Sequence, residues 1–133
     1  MACLIDSDWL IDHLADVPEA HELLAELAAE GIAVSMVTYM EVFQGSLRSA
    51  NPLEARQRLS AFLEAVPVIP FTTNVAERCA QVREELRRQN RRVNQRALDL
   101  INAATAIEYD LTLVTRNVND YRDVPGLKLY ARE

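Results

Sequence analysis

Apolar positions along this chain recur in two rhythms. Short, nearly unbroken apolar runs at 2–5 (ACLI), 32–37 (IAVSMV), 67–71 (PVIPF), 111–115 (LTLVT) and 127–130 (LKLY) have the length of buried strands. Between them the apolar residues take helical spacing, at 8–15 (DWLIDHLA), 17–31 (VPEAHELLAELAAEG), 38–50 (TYMEVFQGSLRSA), 51–66 (NPLEARQRLSAFLEAV), 72–90 (TTNVAERCAQVREELRRQN) and 95–110 (QRALDLINAATAIEYD). Punctuation supports these bounds. Pro18 suits a first helical turn, Leu23, Leu24 and Leu27 form a stripe, and Gly31 closes that helix. Asn51 is a cap followed by Pro52, the helix at 72–90 is capped near Thr73, and Asp6, Ser7 or Asp8 caps the first helix. Strands alternating with helices predict an α/β layered domain with a mainly parallel sheet. No linker, repeat or second domain interrupts residues 1–133.

Composition narrows the class. Half of the 133 residues are hydrophobic and only three are Gly, which supports a packed core and excludes a low-complexity chain. No apolar window approaches membrane-spanning length, and Asp6 and Asp8 break any leader-like N-terminal run, so the expectation is a cytoplasmic protein. Cys3 and Cys79 both lie in apolar runs and read as small buried hydrophobes. His13 and His21 lack the helical spacing of a metal pair. The net charge of −6 opposes non-specific nucleic-acid binding by the whole surface. The basic residues are clustered, however: seven arginines fall between Arg78 and Arg96, which leaves room for a local contact with an anionic partner.

The acids fall in corresponding places. In open α/β sheets, ligands bind beyond the carboxyl ends of the strands. Asp6 follows the first strand, Glu41 lies a helical turn beyond the second, and Asn117 and Asp120 follow LTLVT. Asp99 opens the helix that leads into LTLVT. Each has an ordinary explanation. Asp6 caps a helix, Glu41 completes a Thr38-x-x-Glu41 capping box, Asp99 suits the positive end of a helix, and Asp120 sits in a turn. Capping does not require them all to face one sheet edge. Carboxylates gathered there repel unless a cation intervenes. All-oxygen ligands without Cys or His favour Mg²⁺ or Mn²⁺, the usual equipment for phosphodiester hydrolysis.

The blocks CLIDSDWLI, SMVTYMEVFQG, LDLINAATAIEYDLTLVTRNVNDY and VPGLKLY together resemble the PIN-domain ribonucleases, and within them the VapC toxins of bacterial toxin–antitoxin pairs. The resemblance covers nearly the whole chain and implies a PIN-like α/β/α sandwich with a mainly parallel five-stranded sheet. It implies a Mg²⁺- or Mn²⁺-dependent endoribonuclease, a homodimer and a cognate VapB-type antitoxin that blocks the site. By that pattern Asp6, Glu41 and Asp99 are the metal-binding and catalytic acids, with Asp120 or Asn117 in the fourth position. Thr115 and Ser7 would donate hydrogen bonds to these carboxylates, and Asp8 would be an extra acid beside them. Two features depart from the pattern: Asp8 stands where a small polar residue is commoner, and Asn117 where many relatives carry Asp.

Two other readings compete. Asp6-Ser7-Asp8 after an apolar strand mimics the first motif of haloacid-dehalogenase-type phosphatases, but Leu10 stands where that motif wants a small β-branched residue. A PIN-like fold retained only as a binding module would not need three acids. The run from Arg87 to Arg96 either contacts RNA or a partner, or is a solvated helix face with Glu84 and Arg88 paired at i,i+4.

Overall fold

The computed structural model describes residues 1–131, so the last two residues of the 1–133 domain expected above lie outside it. Five strands, β1 (Cys3–Ile5), β2 (Ile32–Ser35), β3 (Val68–Ile69), β4 (Thr112–Val114) and β5 (Lys128–Leu129), form one sheet. Its order is β3-β2-β1-β4-β5 and every pairing is parallel, with Leu4 opposite Ala33 on one side and Leu113 on the other. The helices are α1 (Ser7–Leu14), α2 (Pro18–Ala28), α3 (Met36–Leu47), α4 (Pro52–Leu63), α5 (Thr73–Arg88) and α6 (Ala97–Glu108). Single 3₁₀ turns at Asn94–Arg96 and Val118–Asp120 precede α6 and follow β4.

Alternation along the strands builds two cores. Cys3 and Ile5 of β1 join Trp9, Leu10, Leu23, Leu24, Val42 and Leu59 on one face of the sheet. Leu4 points the other way, into Val75, Val82, Leu86, Leu100, Ala103 and Leu113. A strand covered on both faces has no polar position to spare, which is why ACLI reads as a continuous apolar run. The small residues of α6, Ala103, Ala104 and Ala106, let that helix sit close against α5 and the sheet.

Local chemistry fixes the element ends. Asp6 caps α1, Asn51 caps α4 through Glu54 N–H, and Thr72 caps α5 one residue before the expected position. Each such cap contributes roughly 1 kcal/mol. Gly31, at φ +104°, turns the chain from α2 into β2, and its carbonyl accepts from Cys3 N–H at 3.0 Å. One expectation fails. β2 ends at Ser35 rather than residue 37, and the Ser35 hydroxyl accepts from Thr38 N–H at 3.1 Å. Thr38 is therefore inside α3, not at its cap, and there is no Thr38–Glu41 capping box.

Sheet order explains where a site can form. The chain leaves β1 for β2 and β3 on one side, then crosses to β4 and β5 on the other. Between the diverging ends of β1 and β4 the connections part and leave a crevice, the switch point at which such sheets bind ligands. Asp6 and Thr115 are the first residues past those two strands.

Candidate active site

At the ends of β1 and β4, the Asp6 carboxylate is 6 % exposed and held from three sides. Oδ1 accepts from Ser7 N–H at 2.8 Å and from Asn102 Nδ2 at 3.4 Å, while Oδ2 accepts from the Thr115 hydroxyl at 2.7 Å. A carboxylate offers about four lone-pair directions, so one on Oδ2 stays open. Burial, with Asp8 and Glu41 adding repulsion, pushes the Asp6 pKa up to about 6, against the pull of the Thr115 and Ser7 donors. No Lys or Arg among the described residues forms an ion pair with Asp6, Asp8, Glu41 or Asp99.

The neighbouring candidates take different places. Asp8 lies in the first turn of α1, where its Oδ2 accepts from Arg116 N–H at 2.9 Å and lies 3.4 Å from Thr115 Oγ1, whose one proton goes to Asp6. The Arg116 guanidinium stacks 3.7 Å from the centre of the Trp9 ring and pairs with Asp12 at 2.6 Å, tying the segment after β4 to α1. Ser7 contributes its backbone N–H to Asp6. Asn117 likewise acts through its backbone, donating to Thr115 Oγ1 at 3.1 Å. Glu41 is half-buried on α3 with no hydrogen bond or ion pair among the described residues, but it is close enough to disfavour the charge on Asp6.

Asp99 sits in the first turn of α6, its Oδ1 accepting from the Tyr121 hydroxyl at 3.1 Å. Burial raises its pKa, and Asp120 adds to that, while the Tyr121 donor and the nearby Arg96 oppose it. Asp120 is placed on the Val118–Asp120 turn, where it lies 3.6 Å from Arg92. Asn102 and Tyr121 connect the two groups of acids, because Asn102 Nδ2 also reaches the Tyr121 hydroxyl oxygen at 3.3 Å.

Three residues here escaped sequence reasoning. Asn102 is a lone amide on the apolar face of α6, and that mismatch was its only sequence signal. Tyr121 is 1 % exposed, and burial together with Asp6 holds its hydroxyl firmly protonated. Arg96 reads in sequence as the end of a basic run, yet its side chain is 4 % exposed. It makes two bonds to Asp123, at 2.6 and 2.8 Å, and donates to the carbonyls of Asp120 and Arg92 at 2.9 and 2.7 Å. That pairing holds the Asp123 carboxyl below its usual range and fastens the Asp120–Asp123 segment beside the start of α6. Arg87 and Arg88 instead pair with Glu84 along α5, at 2.6 and 3.4 Å. His13 and His21, unrelated in sequence spacing, meet across α1 and α2 with their Nδ1 atoms 2.9 Å apart, and Asp16 faces His21 Nε2 at 3.1 Å.

The donor set suits a hard divalent cation. It is all oxygen, it carries uncompensated negative charge, and Asp6 keeps a lone pair. Among the described residues no three His, Cys, Asp or Glu side chains already stand close enough to close around one ion. Glu41, unbound to any neighbour among the described residues, is the side chain free to turn inward.

The PIN-domain family model matches residues 3–127. Ribonuclease VapC10 of Mycobacterium tuberculosis is 35 % identical over 116 residues, covering 86 % of this chain and 82 % of the relative. The tRNA(fMet)-specific endonuclease VapC of Salmonella typhimurium is 25 % identical over 95 % of this chain and 94 % of that protein. Among solved structures, VapBC2 from Rickettsia felis bound to a promoter DNA fragment superposes with a TM-score of 0.87 at 23 % identity, covering all of both chains. These matches favour the ribonuclease reading over the phosphatase one. With its model matched over residues 3–127 and a VapC relative at 35 % identity, this chain belongs to the PIN-domain family, in its VapC group.

Proposed function

We propose that this chain is a divalent-metal-dependent endoribonuclease acting as the toxin of a VapBC-type pair, neutralised by a cognate VapB-type antitoxin. The observation that carries the reading is Asp6: a carboxylate buried at the switch point, raised to about pKa 6, beside Asp8 and Glu41, neither of which has an ion pair with Lys or Arg among the described residues. A pocket arranged in this way favours a cation strongly. The ribonuclease names of the VapC relatives and the toxin–antitoxin complexes among its structural neighbours support the substrate and the partner.

In this reading Asp6, Asp99 and Glu41 hold Mg²⁺ or Mn²⁺, and Asp120 or Asn117 supplies the fourth position. When bound, such a cation neutralises charge on the scissile phosphate and makes water a better nucleophile. The chain's own residues prepare for it. Thr115 and Ser7 N–H fix the rotamer of Asp6, with one lone pair of Oδ2 unused. Asp8, tethered to Arg116 N–H, keeps the field negative without being a ligand. Arg91 and Arg92, before α6, are the members of the basic run assigned to RNA phosphates in this reading, Arg92 exchanging its 3.6 Å contact with Asp120 for one, whereas Arg87 and Arg88 are engaged along α5. Residues 1–133 form one PIN domain, paired as a homodimer and working in the cytoplasm. No helix among the described residues is long and apolar enough to cross a membrane.

The test is to map the cleavage ends in total RNA after induction of the chain, beside an Asp6→Ala control. Discrete new ends absent from the control are expected, and tRNA fragments are scored separately because one relative is named for tRNA(fMet). Identical end profiles from the two chains would overturn the reading. Mn²⁺ titration separates an enzyme from a binding module, which would show no affinity lost in the Asp6 variant.

A further inference from the structure

We propose that Asn102 and Tyr121 are positioning residues: their side chains form a buried hydrogen-bonded strut that sets the spacing and orientation of the Asp6 and Asp99 carboxylates. The inference rests on the reading above, in which those two acids serve one divalent cation.

The strut has three bonds and a single direction. Asn102 Nδ2 carries two protons, one for Asp6 Oδ1 at 3.4 Å and one for the Tyr121 hydroxyl oxygen at 3.3 Å. The Tyr121 hydroxyl then donates its own proton to Asp99 Oδ1 at 3.1 Å. Both ends terminate on carboxylates, which only accept when ionised. Turning the amide over would aim its oxygen at two acceptors, so the amide is fixed in this orientation. All three bonds are longer than usual for their types, about 2.9–3.0 Å for N–H···O and about 2.7–2.8 Å for O–H···O, so the strut supplies direction more than strength.

The surroundings show what the strut costs. Asn102 is 1 % exposed, on a helix whose other buried residues are Leu100, Ala103, Ala104, Ala106 and Thr105, the last satisfied by donating to the Ile101 carbonyl at 2.8 Å. Its Oδ1 is buried without a partner, the one such side-chain atom among the described residues. Leu would fill the same place and leave nothing unsatisfied. A buried amide kept with half its capacity unused, while the other half spans two like-charged acids, is placed for those acids rather than for packing. Without it, Asp99, half-buried in the first turn of α6, keeps no hydrogen bond among the described residues to hold its rotamer.

The experiment uses the full chain, stripped of metal with EDTA and titrated with Mn²⁺ by calorimetry or by loss of the free-ion EPR signal. The variants are Tyr121→Phe, Asn102→Leu, their combination, and Asp6→Asn as control. Tyr121→Phe keeps the ring and removes only the hydroxyl, so it carries the test even if Asn102→Leu fails to fold. Each single variant is expected to weaken Mn²⁺ binding about tenfold, as loss of a ligand's hydrogen-bond partner commonly does. The double variant should lose little more, since both cuts break one chain. In RNA cleavage, kcat should recover as Mn²⁺ is raised, with KM for RNA unchanged. A purely structural role would shift the melting temperature and leave Mn²⁺ affinity alone. Tyr121→Phe binding Mn²⁺ as tightly as wild type, while Asp6→Asn loses it, overturns the strut and spares the metal reading. Asp6→Asn binding like wild type overturns the metal reading and the strut together.

Discussion

Replacing Asp6 by Asn should stabilise the metal-free protein while abolishing cleavage. Folding raises the Asp6 pKa from an ordinary 3.8 to about 6. At about 1.4 kcal/mol per pKa unit, carrying that charge in the folded state costs about 3 kcal/mol above pH 6. The sign follows from proton binding: the folded chain holds this proton more tightly, so stability falls as pH rises from 3.8 to 6. With the group 6 % exposed, little solvent screening reduces the figure. Asn removes the charge, and since the pKa of about 6 already includes the pull of the Thr115 and Ser7 donors, the net gain is about 3 kcal/mol. For a chain of 133 residues, that is about 11 °C in Tm. The assay is thermal unfolding by circular dichroism in EDTA, at pH 7.5 and at pH 4. The Asp6→Asn variant should melt higher at pH 7.5, and the gap should close toward pH 4, where Asp6 is itself protonated. Added Mn²⁺ should raise the wild-type Tm and leave the variant unmoved. A variant that melts at or below wild type at pH 7.5, with a difference independent of pH, would show that Asp6 bears no such burden.

Three other outcomes follow from the same geometry. Glu41→Gln should slow cleavage strongly while moving stability by less than about 0.5 kcal/mol, the usual range for a residue with no bond to lose; a Tm drop with full activity would restore it to a structural role. Arg96→Ala should destabilise the chain by about 3–5 kcal/mol, because it strands Asp123 and two carbonyls beside a buried gap; a denaturant midpoint matching wild type would refute the buried clamp. Reversing Arg91 and Arg92 to Glu should flatten the salt dependence of RNA binding by about 0.7 for each phosphate no longer neutralised, and an unchanged slope would remove this stretch from the substrate path.

The parts of this molecule that are legible in sequence are those whose signal is local or periodic. ACLI and LTLVT announce buried strands because both faces of the sheet are covered, and Asn51-Pro52 announces a helix start because cap and first turn adjoin in sequence. Where two local explanations compete, sequence loses. Met36 and Val37 extend the apolar run of β2, so they hide Ser35 as a cap and leave Thr38 as the apparent one. Relations across distance are invisible. Arg92 and Arg96 look alike in composition, yet Arg96 is buried because its partner Asp123 lies 27 residues on, across the fold. His13 and His21 show no helical spacing because they belong to different helices.

Asp6 shows why the ordinary and the chemical explanations of such acids need not exclude each other. Its Oδ1 caps α1 through Ser7 N–H, as a helix start requires. That bond, with Thr115 on Oδ2, fixes the side chain in a rotamer that leaves one lone pair of Oδ2 unused. A cap therefore supplies the rigidity a ligand needs, at the one place where β1 and β4 diverge. Glu41 is the contrasting case: Ser35 takes the capping duty at α3, and the Glu41 carboxylate has no hydrogen bond or ion pair among the described residues. The acids that sequence assigns equally to capping and to chemistry thus separate by what their oxygens have left over, one lone pair on Asp6 and all of them on Glu41.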